Sequence, residues 1–189
     1  MRNRRYGMKL QQRNRETKRL ILRPLQLDDF ESYRQALSER KPSQHLYDPG
    51  RPEISRLTKT KFIDMIQQRT AMKEEDGTYV YDIFHKDGNH LGHADITTLI
   101  REEFQWGMLG YMIHNQHWDR GFGKEAVQEV LCASFDDLHF HRIEAHINID
   151  NHPSISLAEK VGMEYECVRK RFIYENGAWT DNLVYYKNA

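Results

Sequence analysis

Three strand patterns follow one another in the middle of the chain with only short turns between them. They cover residues 79–84, 91–100 and 104–113, and the Lys-Asp-Gly-Asn segment at 86–89 is typical of a hairpin turn. Strands joined by short turns pair antiparallel, because a parallel pair needs a crossover of a dozen or more residues. The arrangement excludes a repeated strand-helix-strand fold and predicts a mixed α/β (α+β) domain around a largely antiparallel sheet.

Further helices and strands are predicted on both sides of these three strands. In chain order they are a strand over 20–25, helices over 28–37 and 57–72, a strand over 142–149, a helix over 151–161, and a last hairpin with strands 163–174 and 179–186 around Asn176-Gly177. Alternation in the strand 142–149 predicts four inward residues, Ile143, Ala145, Ile147 and Ile149. No repeat or linker divides the sequence, so residues 18–189 are expected to form a single domain.

The segment 110–126 combines a strand, a polar turn and the start of an amphipathic helix predicted over 123–138. One face of this helix is apolar or small, and it consists of Val127, Val130, Leu131, Ser134, Phe135 and Leu138. The first amides of a helix lack intrachain partners and lie at the positive end of the helix dipole. This order of elements therefore predicts an anion site that suits a phosphate group.

The turn before this helix contains two glycines and two basic residues. Gly121 and Gly123 allow the backbone to approach a ligand closely, and Arg120 and Lys124 add positive charge. A Walker loop is excluded, since its Lys is followed by Ser or Thr and Lys124 is followed by Glu125. A dinucleotide fingerprint fits the glycine spacing, but it would require the glycines directly after a strand within parallel units.

The same turn resembles the pyrophosphate loop of the GNAT acetyltransferases, whose motif is Gln/Arg-x-x-Gly-x-Gly/Ala. The segment Trp118-Asp-Arg-Gly-Phe-Gly123 has Trp in place of the leading residue, which resembles the ribosomal-protein N-terminal acetyltransferase (RimJ/RimL-like) branch. Other segments match this branch in order, namely Leu22-Arg-Pro-Leu25, Gly110-Tyr111, Glu125-Ala126, His141-Arg-Ile-Glu-Ala145, Asn151-x-x-Ser154 and Glu159-Lys-Val-Gly162. The resemblance spans about residues 19–187.

The resemblance implies a GNAT-like fold in which acetyl-CoA lies in a gap between the strands at 104–113 and 142–149. The backbone of Met112 and Ile113 would pair with the pantetheine and the thioester, and Asn151 would hydrogen-bond the pantetheine arm. The pyrophosphate would be held by six backbone positions with Lys124 beside them, namely Trp118, Asp119, Arg120, Gly121, Phe122 and Gly123. Judged alone, Asn151 also fits a helix N-cap.

The implied reaction is direct attack of a neutral primary amine on the thioester, without a covalent enzyme intermediate. A backbone N–H near Ile113 would stabilise the oxyanion. Many GNAT enzymes carry a Tyr acid seven positions after the motif Asn, but that position is Ala158 here, so Ser154 is the expected catalytic residue that protonates the thiolate. The general base stays open, with an ordered water as the default, because Glu175 is predicted to lie already in the final turn.

The N-terminal 19 residues hold eight Lys and Arg against one Glu, although the whole chain balances 28 bases with 28 acids. Residues 1–17 are interpreted as a basic arm, in the first place a solvated tail that leads into the first strand. Contact with RNA, a ribosome or another polyanion is the functional alternative, and a mitochondrial address is a third.

Other features of the sequence exclude several classes of protein. It has no apolar run of the ~18 residues that a membrane span needs and no signal-peptide pattern, so no membrane contact and a cytoplasmic location are expected. Cys132 and Cys167 lack a CxxC spacing and are predicted to be two buried thiols. The histidines lack the spacing of known metal motifs, so no metal is predicted.

Amine N-acetylation is the expected activity. The acceptor stays open among a protein N-terminus, a polyamine and a small-molecule amine, because residues 26–75 and the last hairpin carry no motif. Two alternatives remain: a non-catalytic acyl-CoA sensor or scaffold, which the missing Tyr supports, and a dinucleotide-binding oxidoreductase. A homodimer stays open as a further partner.

Overall fold

A computed structural model describes residues 10–175 and 177–189, which form eight strands and four α-helices. The strands are β1 (Arg15–Glu16), β2 (Leu20–Arg23), β3 (Thr78–His85), β4 (His90–Ile100), β5 (Trp106–Ile113), β6 (Arg142–Asn148), β7 (Glu164–Glu175) and β8 (Ala178–Asn188). The helices are α1 (Phe30–Ser38), α2 (Lys59–Glu74), α3 (Phe122–Asp136) and α4 (His152–Lys160). Each predicted element is present with its ends shifted by a few residues, and Asn176 of the predicted final turn lies outside the described residues.

All eight strands belong to one sheet in the order β1-β2-β3-β4-β5-β6-β8-β7. Every neighbouring pair is antiparallel except β5 and β6, which run parallel. The β5–β6 pair holds three residues of each strand in register and ends at Met108 and Glu144, although both strands continue. The sheet therefore opens between them, which confirms the predicted gap and the mixed, largely antiparallel fold.

The two faces of the sheet are covered by different helices. Leu20 and Leu22 of β2 belong to the main core with Val130 and Leu131 of α3. Ile21, between them, packs with a smaller cluster around Phe62 of α2. Because neighbouring residues of a strand point to opposite faces, α3 covers one face of this half of the sheet and α2 covers the other.

The predicted apolar face of α3 is buried except for Phe135, which is half-buried. The inward pattern of β6 is confirmed for Ile143, Ala145 and Ile147, but the prediction for Ile149 is wrong, because β6 ends before it and its side chain is 41% exposed. Glu144, on the other face of β6, is buried instead. Arg142 donates to its Oε1 at 2.8 Å, so its charge is compensated.

The described part of the segment interpreted as a basic arm contacts the domain. β1 pairs with β2, and Gln12 Nε2 donates to the carbonyl of Val80 at 2.6 Å. Arg15 Nε donates to Asp137 Oδ2 at 2.8 Å, just beyond the end of α3. Residues 10–17 are therefore not a solvated tail, because acidic side chains near the end of α3 attract the basic side chains of this segment. Residues 1–9 lie outside the described residues.

The prediction of two buried thiols is wrong. Cys132 is exposed on the outer side of α3, and Cys167 on the edge strand β7 is half-buried.

Candidate functional site

The gap between β5 and β6 opens into a cleft of about 440 Å³ that is bordered by the glycine turn and by α4. Most residues predicted for the site line this cleft, namely Met112, Ile113, Trp118, Asp119, Gly121, Phe122, Gly123, Lys124, Asn151 and Ser154. Arg120 is the exception and does not line it. Tertiary folding thus brings together residues from three separate segments of the chain.

The N-terminus of α3 is uncapped at the edge of the cleft. Gly121 occupies the N-cap position with φ +76°, and no side chain of the described residues caps the helix there. The first helical bond runs from the amide of Glu125 to the carbonyl of Gly121 at 3.2 Å. The amides of residues 122–124 precede it, so the backbone presents donors and a positive dipole end to the cleft.

The two glycines of the turn lie in different structural environments. Gly121 lies in the left-handed region, where L side chains are strained. Gly123 lies at the cleft wall, where an added Cβ would come within 3.4 Å of Leu157 and 3.6 Å of Ile113. These are ordinary van der Waals distances, so packing against the described residues does not by itself require glycine at this position.

Trp118 connects the glycine turn to the open strand. Its indole Nε1 donates to the carbonyl of Ile113 at 2.7 Å, and its ring stacks on that of His45 at a centroid distance of 5.3 Å. His45 belongs to the loop after α1 and also lines the cleft. One aromatic side chain therefore holds the loop, the turn and the end of β5 together.

Alternate residues of β5 turn their backbone groups to opposite sides. The amide of His114 donates to the carbonyl of Leu91 at 2.8 Å, so His114 and, two residues earlier, Met112 face β4. The carbonyl of Ile113 points the other way, to Trp118. Ile113 therefore presents its backbone at the open edge of the sheet, while the backbone of Met112 is directed to β4.

The first turn of α4 carries Asn151 and Ser154 to the cleft. Asn151 is the N-cap, and its Oδ1 accepts from the amide of Ser154 at 3.4 Å. The hydroxyl of Tyr111 donates to the carbonyl of Ser154 at 3.0 Å, which ties β5 to α4 across the cleft. Burial raises the pKa of Tyr111 to about 12, so this phenol stays protonated at neutral pH. Ala158 is fully buried below them.

A buried ion pair, which the sequence analysis missed, orders the loop between α1 and α2. Arg40 Nη2 donates to Asp48 Oδ1 at 2.8 Å, and Asn115 Nδ2 donates to Asp48 Oδ2 at 2.8 Å. Burial alone would raise the pKa of Asp48, but hydrogen bonds from Asn115 and from the amides of Gly50 and Gln44 hold it below its usual value. The Asp-Pro-Gly run at 48–50 was the local signal for an ordered turn.

The sequence predicts Glu175 in the final turn, but the residue lies at the end of β7, where it pairs with Ala178. Asn148 Nδ2 donates to its Oε2 at 3.3 Å, and Thr180 Oγ1 lies 3.4 Å from the same oxygen. Tyr47, which lines the cleft, lies close enough that its pKa is raised, first by burial and then by the charges of Asp150 and Glu175. A half-buried carboxylate therefore lies at the β7–β8 end of the sheet, hydrogen-bonded to Asn148.

Metal clusters and membrane-spanning helices are both absent from the described residues. No group of three or more His, Cys, Asp or Glu side chains there could hold a metal ion. None of the helices in the described ranges has both the length and the apolar character needed to cross a membrane.

Comparison with known proteins gives concordant matches. Residues 19–164 match the family described as Acetyltransferase (GNAT) domain. A Bacillus subtilis protein named "Probable N-acetyltransferase YjcK" is 29% identical over 170 residues, which cover 88% of this chain and 92% of that protein. The Escherichia coli "[Ribosomal protein uS5]-alanine N-acetyltransferase" is 25% identical over 112 residues, which cover 59% of this chain and 58% of that protein.

Solved structures share the fold. Mycobacterium smegmatis RimJ in complex with CoA-disulfide superposes with a TM-score of 0.73 and 22% identity, covering 90% of this chain and 82% of that one. The ribosomal-protein-S5-alanine acetyltransferase from Vibrio fischeri superposes with a TM-score of 0.71 and 19% identity, covering 94% and 97%.

Proposed function

Because the chain belongs to the acetyltransferase (GNAT) family and is therefore an acetyl-CoA-dependent N-acetyltransferase, we propose that the cleft between β5 and β6 binds acetyl-CoA and directs its acetyl group to a primary amine. One observation carries the proposal: the uncapped N-terminus of α3 begins at a glycine turn on the edge of this cleft. Unpaired amides at a helix start suit a diphosphate, and the open strand β5 suits the amide groups of pantetheine.

The residues present fit the parts of acetyl-CoA. The backbone of residues 118–123, with the side chain of Lys124, would hold the diphosphate, with Arg120 contributing through its backbone only. Asn151 would hydrogen-bond the pantetheine arm in addition to capping α4. Of the two β5 residues expected to contact pantetheine and thioester, Ile113 offers its backbone N–H at the open edge, since Trp118 holds its carbonyl, and Met112 forms part of the wall.

When bound, acetyl-CoA supplies the acetyl thioester. The amide N–H of Ile113 would stabilise the oxyanion that forms as the amine nitrogen attacks, and a donor of this kind is worth about 3 kcal/mol in other acyl transfers. The C–S bond would then break, and the hydroxyl of Ser154 would pass its proton to the leaving thiolate while it takes up another proton from water. Support for this role comes from the position of Ser154 at the cleft and from Ala158, which has no acidic proton to offer.

Glu175 is the base that we assign to the amine proton, either directly or through a water. Its half-buried position beside Asn148 and its charge acting on Tyr47 support the assignment. Glu175→Gln should lower kcat/KM, since an amide cannot take up the proton. An unchanged kcat/KM would return the base to water alone.

The acceptor remains a primary amine on a protein N-terminus, a polyamine or a small molecule. The uS5-alanine N-acetyltransferase of Escherichia coli is a relative whose name gives a protein acceptor, which supports the first class. A cytoplasmic location, a homodimer and contact of residues 1–17 with RNA or the ribosome stay predictions from the sequence.

The test combines titration calorimetry with acetyl-CoA and a thiol-release assay over peptides, polyamines and small amines. We expect acetyl-CoA to bind and at least one amine to release CoA. Binding without release across the whole panel would support a sensor or scaffold instead. Binding of NADH in place of acetyl-CoA would contradict the proposal.

A further inference from the structure

Building on the proposed acetyl-CoA site, we propose that Arg19 is a positioning residue for the diphosphate turn. It neutralises Glu125 in the first turn of α3 and fixes the carbonyl of Arg120. In this way a residue next to the N-terminal segment sets the affinity of the cleft for acetyl-CoA without lining it.

The contacts of Arg19 with α3 are short and convergent. Its Nε donates to Glu125 Oε2 at 2.7 Å, and its own amide donates to Glu125 Oε1 at 2.9 Å. Thr17 Oγ1 donates to the same Oε1 at 2.6 Å. The carboxylate of Glu125 therefore receives three donors from residues 17–19, which belong to the turn between β1 and β2.

The neutralisation of the Glu125 carboxylate matters because this residue lies in the first turn of α3. An acidic side chain in the first turn of a helix interacts favourably with the dipole, and it would repel a diphosphate bound at the same helix end. Burial alone would raise the pKa of Glu125, but the hydrogen bonds from Thr17 and Arg19 outweigh burial and lower it. The group is thus a carboxylate at neutral pH, and the guanidinium of Arg19 is the charge that compensates it.

Arg19 also contacts the turn itself. Its Nη1 donates to the carbonyl of Arg120 at 2.9 Å, and its guanidinium carbon lies 4.5 Å from the ring centre of Phe122. A Cβ added to Gly121 would lie 3.4 Å from Nη2. One side chain therefore contacts Arg120 and Phe122, which flank Gly121 in the turn whose amides would bind the diphosphate.

The test measures acetyl-CoA affinity and turnover separately. Arg19→Ala should raise the Kd for acetyl-CoA about tenfold, the order expected when a charge-assisted pair is lost beside an anion, and should leave kcat at saturating acetyl-CoA unchanged. In a Glu125→Ala background the same substitution should raise Kd only about threefold, because no uncompensated carboxylate remains. Arg19→Lys should fall between wild type and Arg19→Ala, since it keeps the charge and loses the planar fork.

Arg15→Ala is the matched control, because Arg15 pairs with Asp137 just beyond the opposite end of the same helix. It should lower Tm without changing the Kd for acetyl-CoA. The proposal is overturned if Arg19→Ala binds acetyl-CoA like wild type, or if its effect is equally large in the Glu125→Ala background. A wild-type protein that does not bind acetyl-CoA would instead refute the proposed function.

Discussion

The indole of Trp118 donates to the carbonyl of Ile113 at 2.7 Å, directly beside the gap between β5 and β6. This bond closes the segment between the open strand and the glycine turn into a fixed loop. The carbonyl it occupies would otherwise be unpaired at the sheet edge. The proposed diphosphate and thioester contacts are therefore held at a constant separation by one side chain.

Trp118→Phe should weaken acetyl-CoA binding about fivefold. Phe retains an aromatic ring against His45 but lacks the indole donor, and a hydrogen bond of this kind is worth about 1 kcal/mol net. Titration calorimetry measures the change. Trp179→Phe, in an exposed side chain near the last turn, is the control and should bind as wild type. Equal Kd values for both variants would show that the Trp118 bond does not support the site.

Gly121→Glu should abolish measurable acetyl-CoA binding. The substitution places a carboxylate at the helix start that would hold the diphosphate, and it forces a side chain into a backbone conformation with φ +76°. Gly88→Glu is the control for the second effect, since Gly88 has φ +96° and open space around it. Both variants should lose similar thermal stability, and only Gly121→Glu should lose binding. Retained affinity in Gly121→Glu would remove the glycine turn from the site.

Ser154→Ala should reduce kcat about tenfold or more while the Kd for acetyl-CoA changes less than twofold. A proton donor contributes in the step that breaks the C–S bond and not in cofactor binding. Ser156→Ala, in the same helix but outside the cleft lining, is the control and should retain wild-type turnover. A thiol-release assay, run under conditions in which chemistry limits the rate, measures kcat for both variants. Wild-type turnover in Ser154→Ala would leave the thiolate without an assigned acid.

His93 should make the folded state less stable below pH 6.5. Burial, with smaller contributions from Arg69, His90 and Arg40, lowers its pKa from 6.5 to about 4 in spite of the nearby charge of Asp82. Between these two values the unfolded chain binds the proton that the folded chain excludes. The free energy of unfolding therefore falls as pH decreases from 6.5 to about 4, by at most about 1.4 kcal/mol per pH unit for this group.

His93→Gln should flatten that part of the stability curve. Urea unfolding at pH 7, 6 and 5 measures it, and His141→Gln, at an exposed position, should keep the wild-type slope. If His93→Gln and wild type lose stability in parallel between pH 6.5 and 5, another group is responsible.

Local patterns in the sequence were sufficient for the α-helices, for every strand except β1 and for most of the proposed cofactor residues. The alternation of residues 79–113 predicts antiparallel strands, and the glycine turn before α3 predicts an anion site, because both depend on backbone preferences within a few residues. The same is true of Asn151, whose capping position is set by the helix that follows it.

The sequence by itself determined the order of the helices and of every strand after β1, the uncapped helix start after Gly121 and the motifs at Trp118 and Ser154. The tertiary structure alone decided that Glu175 reaches Asn148, that Asp48 holds the loop after α1 and that Arg19 compensates Glu125. Glu175 and Asn148 are 27 residues apart, Asp48 and its partner Asn115 are 67 residues apart, and Arg19 and Glu125 are 106 residues apart. Periodicity reports only the local backbone, whereas such pairs form because sheet pairing and helix packing bring distant charges to one place.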